Sequence, residues 1–175
     1  MDKDEDPCEI CETNALHTPN THVETANSPP LLWECPHCGN YKVSNQIASN
    51  LKQLRAMDRP KVFGWIRKQN REIGVPHIKT ATLDCLLSRQ IPSLEERAEA
   101  ILLEARQGQS DLEVQIRWDD PKFKAASYTS LEENNDMDRL IKLLKEQKML
   151  ETCNTIGASI STKGHILIEQ LLGRQ

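Results

Sequence analysis

The alternation of polar and apolar residues near the start of the chain predicts two short strands, at residues 31–34 and 40–43. Residues 12–30 are rich in Thr, Asn, Pro and His, which favour turns over regular structure, so they are expected to form a loop. A loop and two short strands are too small to bury a core. This segment is therefore expected to need another source of stability.

From residue 44 onward the spacing of apolar residues becomes helical. Ile47, Leu51 and Leu54 fall at i, i+4 and i+7, which predicts a helix that Ser44 caps and that runs to about residue 56. A second helix is predicted to start at Asp58 and to end before the Gly-Val-Pro sequence at residues 74–76. A short helical or irregular apolar patch follows it.

The second half of the chain has the clearest start signal. Ser93 and Glu96 have the spacing of a capping box, which predicts a helix that ends at Gly108. The pattern then predicts, in order, a connection, a short helix at 122–128, a long amphipathic helix at 136–149, a hairpin at 150–161 and a last helix capped by Thr162. This order is typical of a winged-helix unit, in which the long helix is the recognition helix.

These elements predict a fold that is mainly α with small β. The expected organisation has three segments: an N-terminal segment at 1–45 that contains two cysteine pairs, a helical basic linker region at 46–91 and a C-terminal winged-helix-like domain at 92–175.

The cysteine pairs are Cys8 with Cys11 and Cys35 with Cys38, two CxxC turns separated by 23 residues. Two residues between cysteines let both sulfurs of a tight turn point to one side, and two facing turns supply four sulfurs in tetrahedral geometry. Gly39 permits the left-handed turn that often follows such a pair. The spacing predicts one structural Zn²⁺ bound by these four cysteines, so residues 1–45 are expected to form a zinc ribbon.

Other interpretations of the cysteines are a disulfide framework, a redox CxxC or an iron–sulfur cluster. A redox CxxC normally lies in a larger α/β domain, which the pattern does not predict here. Cys85 and Cys153 stand alone and are predicted to be buried thiols. With four cysteines complete, His17, His22 and His37 are not needed as ligands.

Charge is distributed unevenly along the chain. The net charge is -4 overall, but residues 1–40 carry -7 and residues 41–80 carry +7. The start of the chain is acidic and polar, unlike a signal peptide, and no stretch approaches the roughly 18 apolar residues of a membrane helix. We therefore expect a cytoplasmic protein without membrane association, in a reducing compartment that disfavours disulfides.

The basic middle segment and the long helix contain the candidate binding residues. They are Lys52, Arg55, Arg59, Lys61, Trp65, Arg67, Lys68, Arg71, Arg139, Lys142 and Lys145. The basic groups suit phosphates and Trp65 suits base stacking. The alternative is structural: Trp65 packs inside, the basic groups of the middle segment offset the acidic N-terminal block, and the long helix presents a solvated face of mixed charge.

Four short sequences in the chain resemble a known group of proteins. They are residues 35–43 (CPHCGNYKV), 63–70 (FGWIRKQN), 91–98 (IPSLEERA) and 160–164 (ISTKG). Together they resemble the N-terminal region of poorly characterised bacterial proteins in which a zinc ribbon and winged-helix-like region precedes a TIR-like or nucleotide-processing effector domain. Several members are linked to antiviral defence. The resemblance implies a sensor, adaptor or regulator, either as a stand-alone relative or as part of a longer protein.

We therefore expect a non-enzymatic zinc-binding module that recognises nucleic acid or a partner protein, with a role in bacterial antiphage defence. No P-loop, GxSxG or HExxH sequence is present, and pairs such as Cys85 with His77 are weak candidates for catalysis. The alternatives are a DNA-binding transcriptional regulator and a structural or oligomerisation subunit, in which the apolar last helix pairs with its copy in a homodimer.

Overall fold

The computed structural model describes residues 4–18, 30–107, 115–130, 135–151 and 157–173. The chain divides into two compact units, residues 1–91 and 92–175, and each is described by itself below. The predicted division into three segments stays a prediction.

A five-stranded mixed sheet is the basis of the N-terminal unit. Its strands, in spatial order, are β1 (Asp4–Pro7), β2 (Asn14–His17), β3 (Leu31–Cys35), β4 (Gly39–Val43) and β5 (His77–Ile78). The first four pair antiparallel, whereas β5 pairs with β4 in parallel. Trp33 on β3 lies opposite Tyr41 on β4, and both side chains are buried, as the period-two pattern of a strand requires.

Three helices follow in this unit: α1 (Asn45–Lys52), α2 (Arg59–Glu72) and α3 (Thr80–Ser88). The apolar face predicted for α1 is present in part, because Ile47 and Leu51 are buried. The helix ends near residue 52 rather than 56, and a turn in which the Asp58 N–H donates to the Arg55 carbonyl at 2.9 Å follows it.

In the C-terminal unit, four helices accompany a small sheet. Its elements are α4 (Leu94–Arg106), β6 (Gln115–Arg117), α5 (Pro121–Ala126), α6 (Asn135–Glu146), β7 (Leu150–Glu151), β8 (Gly157–Ile160) and α7 (Thr162–Leu172). The strands pair antiparallel in the order β6-β8-β7. Leu102 of α4, Phe123 of α5, Leu140 and Leu144 of α6 and Ile168 of α7 share one apolar core.

Two helices of the C-terminal unit, α4 and α7, begin at a serine whose side chain caps the helix. The capping box at Ser93 and Glu96 is confirmed, with the Glu96 N–H donating to Ser93 Oγ at 3.2 Å and the Ser93 N–H to Glu96 Oε2 at 2.8 Å. The predicted cap of the last helix is wrong by one residue. Ser161 is the N-cap, and its Oγ accepts from the Gly164 N–H at 3.1 Å.

The predicted fold class is wrong. About half of the described residues are helical and about a fifth lie in strands, and the N-terminal sheet has five strands rather than the two predicted there. Residues 14–17, expected to form a loop, pair with residues 4–7 because the first cysteine turn reverses the chain between them. The sheet also recruits β5 from residues 77–78, far along the chain.

The structure also contradicts the predicted winged helix, because the described elements do not clearly form a zinc ribbon followed by a winged helix. The tip of the expected wing, residues 152–156, lies outside the described residues. Among the residues that the structure describes, no helix combines the length and apolar character needed to cross a membrane.

Candidate metal centre

Two tight turns at neighbouring strand ends present the four cysteines. The first joins β1 to β2 and is closed by the Cys8 N–H donating to the Thr13 carbonyl at 2.9 Å. The second joins β3 to β4, and there the Cys38 N–H donates to Cys35 Sγ at 3.3 Å. Gly39 follows with φ +92°, so the predicted left-handed turn is confirmed.

The four sulfurs converge on one point. Cys8 Sγ lies 3.8 Å from Cys38 Sγ, and Cys11 Sγ lies 3.5 Å from Cys35 Sγ. All four sulfurs lie within 4.8 Å of one another. A tetrahedron with Zn–S bonds of about 2.3 Å has sulfur–sulfur edges of about 3.8 Å, so these positions fit one tetrahedral ion. The prediction that these four cysteines form a site able to bind a metal is confirmed.

The cluster cysteines do not form disulfide bonds with one another. The cysteines of the cluster are free thiols, and separations of 3.5 and 3.8 Å are far longer than a disulfide bond of about 2.05 Å. The compact arrangement also suits a single ion better than a cluster of several irons, because cysteine sulfurs that surround a multi-iron cluster lie farther apart than these four do.

The cluster is largely removed from water, with Cys8, Cys35 and Cys38 at most 3% exposed. Burial raises the pKa of the Cys38 thiol, and hydrogen bonds from the neighbouring cysteines reinforce the rise. Hydrogen bonds from Cys35 and then Cys38 lower the pKa of Cys11, because they stabilise its thiolate. Without a cation the cluster holds few thiolates, since buried like charges repel each other. A bound divalent cation offsets this repulsion and allows the cysteines to bind it as thiolates.

An aromatic stack lies behind the first cysteine turn. The Tyr41 hydroxyl is 3.2 Å from Cys8 Sγ, and toward a thiolate only the hydroxyl can donate. Burial, and then the negative charge of Cys8, raise the pKa of Tyr41, so it keeps its proton. The Tyr41 ring stacks on Trp33 with centroids 6.3 Å apart, and Trp33 in turn contacts His17 with centroids 4.6 Å apart.

Helix α2 holds the second cysteine turn in place. The Arg67 guanidinium donates to the carbonyls of His37, at 2.8 Å, and of Pro36. Asn70 binds the backbone of Asn40 with both ends of its amide, accepting at 2.7 Å and donating at 2.8 Å. Arg67 was predicted to bind nucleic acid or a partner, but the structure gives it this structural contact.

Most other basic residues predicted to bind a ligand also have partners within the chain. The ion pairs are Lys52–Glu9, Arg55–Asp58, Arg59–Glu12, Lys61–Asp58, Lys68–Glu72, Arg139–Asp136 and Lys142–Glu146. Two of them join the basic middle segment to acids beside the first cysteine turn, as the structural alternative expected. Trp65 is half-buried, Arg71 has a partner as well, and Lys145 is exposed on α6.

The remaining candidates are placed as follows. Cys85 is exposed on α3, so its predicted burial is wrong, and its sulfur lies 3.4 Å from the Arg89 guanidinium. His37 is buried with its ring edge-on to Phe63. Cys153 and His22 lie outside the described residues.

No protein-family model, curated protein or solved structure matches this chain. The resemblance to zinc-ribbon regions of defence-linked proteins therefore stays a prediction. The positions of the four sulfurs are therefore the basis for assigning a candidate metal site.

Sequence reasoning missed two groups that act on the site. Tyr41 and Asn70 were assigned no role, although each contacts a cysteine turn or its flanking strand. The signal for Tyr41 was its position in β4, three residues after Cys38 and facing the same side of the sheet as Trp33. Asn70 had no local signal, because its contact joins residues thirty apart along the chain.

Proposed function

We propose that the four cysteines bind one structural Zn²⁺ and that the protein is a non-enzymatic recognition module stabilised by this ion. The observation that carries the proposal is the convergence of four sulfurs within 4.8 Å. An all-sulfur donor set suits zinc, which accepts tetrahedral thiolate ligands without a preferred electronic geometry.

The proposed ion has a structural role because protein fills every coordination position. Catalytic zinc sites keep one position open for water or substrate, and four cysteines leave none. Zinc bound in this way contributes about 10–16 kcal/mol to the folding of small domains. Here it would join the β1–β2 turn to the β3–β4 turn and so fix most of the sheet.

The recognition part of the proposal favours a protein or small ligand over nucleic acid. Arg59 and Lys52 pair with acids of the first cysteine turn, and Arg67 binds the second turn. Phosphate binding would require these groups to leave their partners, which reduces the net gain. The N-terminal segment, at -7 over residues 1–40, repels polyanions.

Metal analysis of protein purified without added metal tests the proposal. We expect one zinc per chain in the native protein and much less in a Cys35→Ser variant. Cys85→Ser is the matched control, because Cys85 is an exposed cysteine outside the cluster, and it should retain full zinc. Stoichiometric iron, or no metal at all, would contradict the zinc assignment.

A further inference from the structure

Two lysines of the basic middle segment differ from the other cations there. Nine lysines and arginines lie at residues 41–80, and seven of them contact partners within the chain: Lys52, Arg55, Arg59, Lys61, Arg67, Lys68 and Arg71. The other two, Lys42 and Lys79, are exposed and have no side-chain partner among the residues that the structure describes. The positive charge of the segment is therefore least compensated at these two lysines.

Lys42 and Lys79 lie on one face of the N-terminal sheet. Lys42 is opposite His77 in the parallel pairing of β4 with β5, and its backbone N–H donates to the Pro76 carbonyl at 2.8 Å. Lys79 follows His77 by two residues in extended backbone, so its side chain leaves the sheet on the same side. Pro76 and Ile78, which alternate with them, are buried. Burial, and then the positive charges of Lys79 and Lys42, lower the pKa of His77, as expected for two cations close to it.

The start of α3 adds to the positive potential beside Lys79. Lys79 is the N-cap of this nine-residue helix, its side chain makes no capping hydrogen bond, and the first turn contains no acid. The N–H groups of a first helical turn carry partial positive charge and attract carboxylates. Glu34 of β3 lies on the same face of the sheet, but it already has a partner. The surface therefore favours an anionic group from another molecule.

An exposed apolar tip borders these lysines. Ile73 is 80% exposed and Val75 is 45% exposed, and they flank Gly74 in the turn between α2 and β5. The Ile73 and Gly74 N–H groups both donate to the Gln69 carbonyl at 2.8 Å. The Asn70 amide donates to the Gly74 carbonyl at 3.2 Å, so the backbone of the tip is fixed. Isolated exposed apolar residues are common, but these two adjoin cations without partners and are already held in place for contact.

The number and spacing of these groups favour an acidic peptide segment over other anions. Recognition of anionic lipids typically uses clusters of about four to eight basic residues, whereas this surface has two lysines. Nucleic acid requires several phosphate contacts, and the acidic N-terminal segment repels it. In an extended peptide, side chains two residues apart lie on one face, about 6.6 Å from each other. Val75, His77 and Lys79 have the same two-residue spacing, so an extended segment alongside them matches their positions.

We propose that the surface formed by Lys42, Ile73, Val75 and Lys79 binds an extended acidic segment of a partner protein. An apolar side chain of the segment covers Ile73 and Val75, and carboxylates two and four residues from it reach Lys42 and Lys79. The carboxylate at Lys79 also accepts from the first N–H groups of α3. This inference rests on the proposed recognition role and names the chemistry of the partner, but it does not depend on which metal the cysteines bind.

The probe is the peptide acetyl-Glu-Ser-Glu-Ser-Leu-Ser-Glu-Ser-Glu-amide, which presents the same pattern of side chains in both chain directions. NMR titration of the full chain, in protein that contains one zinc per chain, follows the amide signals of residues 73–80. We expect the peptide to shift these signals in a saturable manner. Two control peptides replace every Glu by Gln or the Leu by Ser. Each should shift the signals at least fivefold less at equal concentration.

Two variants test the assigned contacts. Lys79→Glu reverses one charge and should weaken binding of the acidic peptide at least fivefold, whereas Ile73→Ser removes an apolar contact and should weaken it at least threefold. Both side chains are exposed, so both variants should fold as the wild type does. The matched controls are Lys145→Glu, an exposed lysine on α6, and Met57→Ser, a 67% exposed apolar residue in the turn before α2. Both controls should bind the peptide as the wild type does.

An absence of shifts, equal shifts with the uncharged peptide, or unchanged affinity of Lys79→Glu would overturn the inference. Binding to vesicles of phosphatidylserine and phosphatidylcholine without binding to the peptide would also overturn it and would assign the surface to lipid headgroups. Any of these results in protein that holds one zinc per chain would leave the metal centre intact. Absence of zinc in the native protein would instead contradict the metal assignment, so the two failures are distinguishable.

Discussion

At the scale of single residues, metal binding by the four cysteines depends on which groups stabilise the negative charge of each thiolate. The Tyr41 hydroxyl lies within hydrogen-bond distance of a cluster sulfur, at 3.2 Å from Cys8 Sγ. A donor at this distance withdraws charge from a thiolate and fixes its orientation. Tyr41 is therefore a positioning residue for Cys8.

Tyr41→Phe should weaken zinc binding by about tenfold, because it removes the donor and keeps the ring that stacks on Trp33. Competition with a chromophoric chelator measures the affinity. The sulfur-to-metal charge-transfer band of the cobalt-substituted protein should also move. Tyr128→Phe, the same change in the C-terminal unit, is the control. A Tyr41→Phe protein with unchanged affinity and an unchanged band would exclude the role.

His17 gives the N-terminal sheet a predicted dependence on pH. Burial alone lowers the pKa of His17, but the hydrogen bond to Asp6, at 2.8 Å, outweighs it and the net pKa is raised. The pair thus contributes stability below the unfolded pKa of about 6.5, and this is lost as pH rises through the higher folded pKa.

The test compares wild type with His17→Gln at saturating zinc. The difference in unfolding free energy should shrink between about pH 5.5 and about pH 8.5. Asp6→Asn removes the partner of His17 and should reduce the pH dependence of the unfolding free energy as His17→Gln does. A difference that stays constant with pH would show that the pair does not titrate as described.

At the scale of elements, a buried arginine joins three parts of the C-terminal unit. Arg97 of α4 donates to the Ser127 carbonyl at 2.7 Å, to Thr129 Oγ1 at 3.1 Å and to Asp136 of α6 at 2.8 Å. Arg97 is 8% exposed. The sequence predicts Asp136 only as a helix start, since a contact between residues 39 apart has no local signature.

Arg97→Ala should lower the unfolding free energy of the C-terminal unit by about 3 kcal/mol, because it leaves buried acceptors without their donor. Denaturant unfolding followed by NMR signals of α4 and α6 measures the change. Arg106→Ala on the same helix loses a more exposed ion pair with Glu169, at 3.7 Å, and should cost less than about 1 kcal/mol. Equal effects of the two variants would contradict the assigned role.

The start of α7 requires a glycine for close packing. A Cβ at Gly164 would lie 2.5 Å from the Met149 carbonyl oxygen and 2.6 Å from an Ile160 methyl. Gly164→Ala should therefore destabilise the unit by about 1–3 kcal/mol, although alanine favours helices. At Gly173 the nearest atom would be 3.4 Å away, so Gly173→Ala should be close to neutral. Thermal unfolding of both variants checks this, and a stabilised Gly164→Ala would refute the packing argument.

At the scale of the whole molecule, the two units depend on different sources of stability. In the N-terminal unit the proposed zinc joins two turns of a five-stranded sheet. The C-terminal unit has an apolar core of its own that extends from α4 to α7. Loss of metal should therefore affect the units unequally.

Chelation should remove the native backbone NMR signals of β1 to β4 and retain those of α4 to α7. Because α2 binds the second cysteine turn through Arg67 and Asn70, signals of α2 should shift as well. The region affected by metal loss therefore extends beyond residues 1–45, which is the segment that the sequence predicts to depend on the metal. Native signals for β3 and β4 after complete zinc removal would contradict the structural role of the ion.

The sequence by itself determined the features that depend on near neighbours. The two CxxC turns, the capping box at Ser93 and the glycine at residue 39 were all predictable, because tight spacing and backbone conformation decide them locally. Helical periodicity also predicted the long amphipathic helix, and α6 buries Met137, Leu140, Ile141 and Leu144.

Tertiary structure alone decided how distant segments pair. The strands at residues 4–7 and 14–17 have weak local preference and form because the first cysteine turn brings them together, while β5 joins the sheet from more than thirty residues away. The same applies to the basic residues of the middle segment, whose surplus charge suggested a phosphate-binding surface. The fold places several of them against the acids and carbonyls of the cysteine turns, and pairing across the chain cannot be read from composition.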